Sequence, residues 1–582
     1  MQNIVCSTLL IEKSPQALPL GIACIASALK SSEKITKNFS IIFTNFSFED
    51  KEILNICKNI NPGEIKNAKD IQTGKFIAEK IISASPKFVF FSVYMWNHIA
   101  LESAAKQIKK ILPRTIIVAG GPEVTANPFA FENFDFCIAG NGEEASTNFI
   151  LKYLNSSLNK NDFSKEELDS FAENLNISGI YYKNSKTKIF NSRASVCDLQ
   201  VLSSPYLDGT LNPADYEGAL WELARGCPFK CSYCYESKGE KKVSYFPLSR
   251  IEKELDLFAQ KKVPQIFVLD PTYNANKERA IKMLKMIAQK TPDTFYYFEA
   301  RAEFIDREMA HAFSQICCAL QIGLQSSDSE VLKNVNRTLD KKKFCRNIGF
   351  LNEEGVTFGF DLIYGLPGDS FKGFKNSIDF ALSLYPNNLE LFCLSVLPGT
   401  DLSEKAESFN LEWEKQPPYK VLNSPTFSAK DLQKAAKLAR ATNIFYTQGR
   451  AVSWFNCVLY HLNTKASNFL SDFEKFLEDK KIAVYSNPST QEIRKWQLDF
   501  MEIEFAKKSL QKYFALLKDI VTLYGALSDA DGEGITSEIQ LNYNADDLLS
   551  EYAMDFPFFI QNAKKHNNKI TVFPTPNGAD FK

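Results

Sequence analysis

Short apolar runs alternate with helix-length segments through two long blocks of this chain, and this alternation constrains the fold more than any other feature of the sequence. It predicts an α/β fold in which parallel strands are wrapped by helices, with ligands at the carboxyl ends of the strands. In residues 1–155, which we interpret as a Rossmann-like domain, the apolar runs are 3–10, 39–43, 87–94, 115–119 and 134–139. Helical patterns cover residues 20–30, 99–112 and 143–154.

The second block covers residues 217–398 and holds six strand candidates, each followed by a helical pattern. Six such units predict a partial (βα)6 barrel over residues 216–402, with its chemistry on the loops that follow the strands. The polar residues 156–215 are interpreted as a linker segment with one hairpin near residues 179–190. Residues 403–582 are predicted to form a mainly helical domain of unknown role, with helices at 429–447, 467–480 and 491–526 and late strands at 539–543 and 569–573.

Charge and hydropathy exclude several classes of protein. The 582 residues include 68 Lys and Arg against 69 Asp and Glu, and a net charge of -1 argues against a protein that coats nucleic acid. No run approaches the roughly 18–20 apolar residues that span a bilayer, and the first residues lack the features of a secretory signal. We therefore expect a cytoplasmic protein with no membrane or nucleic-acid partner, whose 13 cysteines are thiols rather than a disulfide framework.

Three of these cysteines have the spacing of metal ligands. Cys227, Cys231 and Cys234 follow the first strand of the second block as C-x3-C-x2-C. Three thiolates on one tight loop can ligate three irons of a 4Fe–4S cluster and leave the fourth iron open to a substrate. A structural zinc loop is the alternative, but zinc would need a fourth protein ligand, and no paired C-x2-C occurs elsewhere.

With this triplet the block from Glu217 to Leu402 resembles the radical SAM superfamily. The segments that carry the resemblance are Tyr233 before the last cysteine, Leu269-Asp270-Pro271-Thr272, Phe298-Glu299-Ala300-Arg301, Ile322-Gly323-Leu324-Gln325-Ser326, Asn336-Arg337, Leu362–Asp369 and Leu397-Pro398-Gly399-Thr400.

The resemblance implies a 4Fe–4S cluster and S-adenosyl-L-methionine (SAM) as cofactors. Tyr233 would lie beside SAM, Thr272 would meet its amino group, Gln325 and Ser326 its ribose, and Arg337 its carboxylate. Two positions depart from the family pattern, since relatives often carry Gly-Gly-Glu where Asp270-Pro271-Thr272 stands and Glu at the position of Gln325. Capping of strand ends is the structural alternative for these polar residues.

The amino-terminal block resembles the cobalamin-binding domain that precedes many radical SAM barrels. The residues that carry this resemblance, and that would contact cobalamin, are Ser92, Tyr94, Trp96, Asn97, Gly120, Gly121, Gly142 and Glu143. The double glycine leaves room for a bulky ligand to approach the backbone. No Asp-x-His-x-x-Gly follows the first strand, so no histidine ligand to cobalt is expected from that loop, and His98 is interpreted as a surface or capping residue. A nucleotide-binding domain is the alternative, but Gly-x-Gly-x-x-Gly is missing after that strand.

Together these resemblances imply a cobalamin-dependent radical SAM enzyme, most simply one that methylates an unactivated carbon through a 5′-deoxyadenosyl radical and methylcobalamin. Oxidation or rearrangement without methyl transfer is the first alternative. A methylthiotransferase is the second, and the scattered Cys6, Cys24, Cys57 and Cys137 argue against its extra cluster. A non-enzymatic protein that binds cobalamin or SAM is the third.

The partners implied are a small-molecule or peptide substrate and an electron donor such as flavodoxin or ferredoxin. Because both active faces lie at carboxyl ends of parallel strands, Cys234 and Gly120 are expected to line one cavity.

Overall fold

A computed structural model describes residues 1–58, 67–159, 163–183, 188–190, 197–236, 242–482, 488–575 and 578–582. Two largely parallel sheets organise this part of the chain, and a helical region follows them. The α/β class and the order of an amino-terminal sheet, a partial barrel and a helical carboxyl-terminal region are as predicted.

The first sheet has the strand order β2-β1-β3-β4-β5-β6-β7, in which β1 to β5 are parallel. Order 2-1-3-4-5 is doubly wound, and it opens a ligand crevice at the carboxyl ends of the strands. Its elements are β1 (Gln2–Leu10), α1 (Leu20–Lys30), α2 (Glu33–Thr36), β2 (Phe39–Ser47), α3 (Lys51–Lys58), α4 (Ala68–Ile82), β3 (Pro86–Ser92), α5 (His98–Ile111), β4 (Ile116–Gly120), α6 (Pro122–Ala126), β5 (Phe136–Ile138), α7 (Glu143–Leu154), α8 (Lys165–Glu173), β6 (Ile180–Lys183) and β7 (Lys188–Phe190).

Alternate residues of these strands enter different cores, because successive side chains of a strand point to opposite faces. Ile4 and Phe88 pack with α1 and α7 on one face, whereas Val5 and Val89 pack with α4 and α5 on the other. Both faces are therefore covered, which explains why these strands read as continuous apolar runs.

The hairpin near residues 179–190 lies within the predicted linker, and it extends the first sheet. Strand β6 pairs antiparallel with β5, through Phe136 opposite Tyr182, and β7 pairs with β6. The domain boundaries stay a prediction, but part of the segment between the two sheets packs as sheet.

The second sheet has the order β8-β11-β12-β13-β14-β15, and every neighbouring pair is parallel. This is the expected six-stranded partial barrel. Its elements are β8 (Ala219–Glu222), β9 (Ala224–Arg225), β10 (Ser244–Tyr245), α9 (Leu248–Lys261), β11 (Gln265–Leu269), α10 (Lys277–Lys290), β12 (Phe295–Ala300), α11 (Arg307–Ser314), β13 (Cys318–Gln325), α12 (Ser329–Asn334), α13 (Lys341–Glu353), β14 (Thr357–Tyr364), α14 (Phe371–Leu382) and β15 (Asn388–Cys393).

The carboxyl-terminal region is mainly helical and shares a continuous core with the barrel. Its strands β18, β19 and β20 form a small antiparallel sheet. The elements are α15 (Asp401–Lys405), β16 (Glu412–Trp413), β17 (Val421–Asn423), α16 (Ala429–Thr442), α17 (Phe455–Leu462), α18 (Ala466–Asp479), α19 (Thr490–Lys507), α20 (Phe514–Glu533), β18 (Ser537–Leu541), α21 (Ala545–Leu549), α22 (Phe556–Asn562), β19 (Asn568–Thr575) and β20 (Gly578–Phe581).

One predicted helix is divided in the structure. The pattern over residues 491–526 forms α19 and α20, because Ser509 adopts a left-handed φ of 58°. The amide of Leu510 then donates to the carbonyl of Phe505, which ends α19 as helices commonly end. Among the described residues, no helix combines the length and apolar character that crossing a membrane requires.

Candidate cofactor sites at the barrel mouth

The three cysteines lie on the loop that follows β8 and β9 at the carboxyl end of the barrel sheet. Backbone hydrogen bonds fasten this loop: Ser232 donates to Val335 at 3.1 Å, and Leu402 donates to Ser232 at 2.8 Å. Cys231 is buried, while Cys227 and Cys234 are partly exposed. A 4Fe–4S cluster would bind each of the three thiolates at a different iron, whereas a structural zinc ion takes four protein ligands at one point.

Among the described residues, the side chains predicted to bind SAM leave three buried polar atoms without a hydrogen bond. Arg337 donates from Nη1 to the Tyr233 hydroxyl at 3.1 Å and from Nη2 to the Gly323 carbonyl at 2.7 Å, but its Nε has no partner. Thr272 Oγ1 and Gln325 Oε1 are also buried and unpartnered. Because buried polar atoms are nearly always paired, this set fits a ligand that carries carboxylate, ammonium and hydroxyl groups.

Ser326, the remaining residue predicted to contact SAM, forms its hydrogen bonds with other residues of the protein. Its Oγ accepts from the Asp328 amide at 3.1 Å and lies 3.4 Å from Ser377 Oγ. The structure therefore brings Tyr233, Gln325 and Arg337 together and turns Ser326 towards the next helix. These hydrogen bonds are those of a residue that caps the end of a strand, which is the structural alternative for Ser326.

A cavity of about 570 Å³ lies at the carboxyl ends of β3, β4 and β5. Six of the eight residues predicted for cobalamin line it: Ser92, Tyr94, Gly120, Gly121, Gly142 and Glu143. Its floor is closely packed at two glycines, since a Cβ at Gly121 would lie 2.6 Å from the Val93 carbonyl oxygen, and one at Gly142 would lie 2.6 Å from Ile25 Cδ1, the movable end of that side chain. Gly121 also has a φ of 102°, which side-chain-bearing residues rarely adopt.

Trp96 and Asn97 do not line this cavity. The Trp96 ring stacks on Tyr94 with centroids 4.5 Å apart, and its Nε1 donates to the Leu9 carbonyl. Asn97 is fully buried, and its side chain accepts from the Tyr94 amide and donates to Thr8 and Leu9. Both residues support the strand ends that carry Tyr94.

Ser146 and Tyr94 are polar groups that the cavity offers to a ligand. Ser146, one turn after Glu143, is buried in its wall, and its Oγ finds no hydrogen-bond partner in the part of the chain that the structure describes. Burial raises the pKa of Tyr94, and a hydrogen bond with Ser92 partly offsets that shift. Within the described residues no histidine lines the cavity, and His98 instead packs on Phe131. This large, mainly apolar cavity with glycines in its floor fits cobalamin. None of its described lining residues would supply an imidazole ligand to cobalt.

The barrel supplies the opposite wall of the same cavity. Gly226, next to Cys227, and Tyr235, next to Cys234, both line it, as do Glu222, Arg225, Glu236 and Gly399. Gly120 lines this space as expected, but Cys234 does not. Tyr235 takes the wall position beside it and hydrogen-bonds to Thr125 of α6, so the cysteine loop meets the cavity through its flanking residues.

Arg225 joins the two walls, and sequence reasoning assigned it no role. Its guanidinium lies 2.6 Å from Glu143 Oε1, 2.8 Å from Glu222 Oε1 and 3.0 Å from Asn141 Oδ1. Burial acts to raise the pKa of Glu143, but the charge and hydrogen bonds of Arg225 outweigh it, and the pKa is lowered. Glu143, predicted to contact cobalamin, therefore also holds the cysteine loop against α7.

Comparisons with known proteins agree with this geometry. The model of the radical SAM superfamily matches residues 221–381, and that of the B12-binding domain matches residues 9–150. The cobalamin-dependent radical SAM methyltransferase TokK of Streptomyces tokunonensis is 24% identical over 360 residues, which cover 56% of this chain and 50% of TokK. The 2-(S-pantetheinyl)-carbapenam-3-carboxylate methyltransferase of Streptantibioticus cattleyicolor is 23% identical over the same shares. The chain thus spans about half the length of these relatives.

Solved structures show the same fold at low sequence identity. The cobalamin-dependent SAM radical enzyme OxsB, with aqua-cobalamin bound, has a TM-score of 0.59 at 13% identity and covers 97% of this chain and 85% of its own. The radical SAM methyltransferase TsrM of Kitasatospora setae, with cobalamin and a 4Fe–4S cluster bound, has a TM-score of 0.51 at 15% identity. The match covers 70% of this chain and 75% of the TsrM chain.

The two matched families imply three groups, a 4Fe–4S cluster and SAM at the barrel and cobalamin at the first sheet. The cysteine loop, the unpartnered polar atoms beside it and the glycine-floored cavity fit these groups in turn. Residues 221–381 thus form a domain of the radical SAM superfamily, and residues 9–150 form a B12-binding domain ahead of it.

Proposed function

We propose that this protein is a cobalamin-dependent radical SAM methyltransferase that methylates an unactivated carbon of a small molecule. One observation carries the proposal: a single cavity is lined both by the Gly120–Gly121 end of the first sheet and by the residues flanking the cysteine loop. The names of the methyltransferase relatives support the same class of reaction.

The residues of this chain have separate tasks in that proposal. Cys227, Cys231 and Cys234 would hold the cluster, and Arg337 and Thr272 would orient SAM beside it. When bound, these groups supply a carbon-centred radical from SAM and a transferable methyl group from cobalamin. An electron donor such as flavodoxin or ferredoxin would reduce the cluster.

Positioning is the main contribution of the protein to such a reaction. Reacting atoms held about 3–3.5 Å apart react far faster than free ones. The Arg225 bridge fixes the cysteine loop against the first sheet, and the apolar part of the wall, including Ile22, Phe90 and Val118, limits water around a reactive radical.

The test uses the holoprotein with SAM that carries a deuterated methyl group, under anaerobic reduction, with products read by mass spectrometry. We expect 5′-deoxyadenosine together with a product that carries the labelled methyl. The variant with all three loop cysteines replaced by alanine should give neither. A substrate that is converted without gaining a methyl group would contradict methylation and favour a cobalamin-assisted oxidation or rearrangement.

A further inference from the structure

Helix α6 forms part of the cavity wall directly after the two glycines of the first sheet. It begins after Gly121, and its residues Thr125 and Ala126 line the cavity. On its other side, Val124 is fully buried in the core of the first sheet. A helix of one turn is not stable by itself, so the position of α6 depends on the contacts that it makes with its surroundings.

Two loops of the barrel contact this helix. The Tyr235 side chain, on the cysteine loop, hydrogen-bonds to Thr125. Thr125 Oγ1 also accepts from the amide of Gly140, which lines the cavity, at 3.0 Å. Gly399, at the end of the barrel, lies so close that an added Cβ would be 3.3 Å from Ala126 Cα. The barrel thus touches the same face of α6 that borders the cavity.

The carboxyl-terminal region supplies a third contact, through Tyr419. Its hydroxyl donates to Glu123 Oε2 at 2.8 Å, although the two residues lie 296 positions apart in the chain. Tyr419 is buried, and the Glu123 side chain is only 11% exposed, so water screens this hydrogen bond weakly. His98 Nδ1 lies 3.8 Å from the same oxygen, which is too far for a hydrogen bond.

The backbone of Tyr419 is held in an unfavourable conformation. Its φ of 58° lies in the left-handed region, which a bulky residue rarely adopts. Its amide donates to the Gln416 carbonyl at 3.0 Å, and its carbonyl accepts from the Val396 amide at 2.9 Å. Such conformations persist where the surrounding structure enforces them, and they are concentrated at functional sites. The conformation therefore indicates a task for the Tyr419 side chain beyond filling space.

We propose that Tyr419 is a positioning residue for cobalamin, which acts through Glu123 to hold α6 and the Gly120–Gly121 turn in the place that cobalamin binding requires. The carboxyl-terminal region then has a task at the cofactor site. Because α6 is held before cobalamin arrives, binding does not have to order it, and the affinity is higher. The inference concerns the holding of the cofactor, so it goes beyond methyl transfer and does not depend on it.

The cobalamin affinity of a Tyr419→Phe variant tests the proposal. The full chain, reconstituted with its cluster, is titrated with hydroxocobalamin, and binding is followed by the absorbance of the cofactor. We expect the affinity to fall about tenfold, the change in an equilibrium constant that one hydrogen bond to a charged group provides.

Tyr446→Phe is the matched control. This buried tyrosine of the same region donates to the Pro386 carbonyl at 2.6 Å, before the amino end of β15, whereas Tyr419 lies beyond the carboxyl end of that strand. The control loses a comparable hydrogen bond at the far end of the barrel. It should be less stable to urea but keep the parental cobalamin affinity within about twofold.

Two variants at Glu123 test whether Tyr419 acts through this carboxylate. Glu123→Gln keeps an oxygen that can accept from the tyrosine hydroxyl, and it should bind cobalamin within about threefold of the parent. Glu123→Met keeps the length of the side chain but removes the acceptor, and it should match the loss in Tyr419→Phe. Adding Tyr419→Phe to Glu123→Met should then cost no further affinity.

Three results would overturn the inference. Unchanged affinity in Tyr419→Phe would mean that the hydroxyl does not serve cobalamin. Equal losses in the Tyr419 and Tyr446 variants would assign the effect to general destabilisation. Additive losses in the double variant would mean that Tyr419 acts by another route. If Tyr419→Phe does not fold, the comparison of Glu123→Gln with Glu123→Met decides, and equal affinities in that pair would refute the proposal. Each of these results leaves methyl transfer standing, because the labelled product measures it separately.

Discussion

Removal of the Arg225 guanidinium should weaken the contact between the barrel and the first sheet far more than loss of an exposed charge. In an Arg225→Met variant, Glu143 and Glu222 keep their charges but lose the cation that they share. Only 16% of the Arg225 side chain and 6% of the Glu143 side chain are exposed, so water screens the pair weakly. Leaving one partner of such a pair buried and alone costs about 3–5 kcal/mol.

Urea denaturation followed by tryptophan fluorescence measures this loss as a decrease in the free energy of unfolding. Arg307→Met is the matched control, because Arg307 and its partner Glu353 are 70% and 56% exposed, and such pairs contribute about 1 kcal/mol or less. Comparing Arg225→Met, Glu143→Gln and the double variant in a double-mutant cycle gives the energy of the pair, since the double variant leaves no unpaired charge at Glu143. Equal losses in the Arg225 and Arg307 variants would refute the reasoning.

Three further predictions concern the cofactor sites. Replacing all three loop cysteines by alanine should abolish bound iron, measured by iron analysis, while cobalamin still binds to the first sheet, and about four irons per chain in that variant would disprove the assignment. His98→Ala should leave the cobalt electron paramagnetic resonance spectrum of the reduced cofactor unchanged, and loss of a nitrogen splitting in this variant would instead make His98 the cobalt ligand. Gly121→Ala should weaken cobalamin binding about tenfold or more in a spectroscopic titration, because its Cβ would meet the Val93 carbonyl oxygen at 2.6 Å. Gly209→Ala is the control, with a φ of 74° but no atom of the described residues within 4 Å of an added Cβ, and an equal loss there would assign the effect to backbone strain.

Local pattern was enough to predict most of the two sheets. The helices Leu20–Lys30 and Glu143–Leu154 and the strand Gln265–Leu269 begin and end where the sequence pattern places them, because apolar period and strand length are properties of short windows. The hairpin at β6 and β7 was also visible as a hairpin. Its place on the edge of the first sheet could not be predicted from the sequence, since that place depends on pairing with β5, more than 40 residues earlier.

The candidate sites show the same division between local and long-range information. The cysteine spacing and the double glycine are short motifs, and both lie at the predicted mouths of their sheets. The Arg225–Glu143 bridge joins positions 82 residues apart, so no window of the sequence contains it. Asn97 was singled out for its place after a strand, and only the packed structure shows that its amide is used up by Tyr94, Thr8 and Leu9.

The central claim is that the cysteine loop and the cobalamin sheet face one cavity, and electron paramagnetic resonance can test it directly. The reduction potential of the sample is set so that the holoprotein holds cobalt(II) and a reduced cluster, both of which are paramagnetic. The microwave power saturation of the cobalt signal is then measured. A shared cavity predicts that the nearby cluster speeds relaxation of the cobalt, and that this effect disappears when the loop cysteines are replaced by alanine. A cobalt signal that saturates identically in the two proteins, with the cluster present and reduced in the first, would contradict the account.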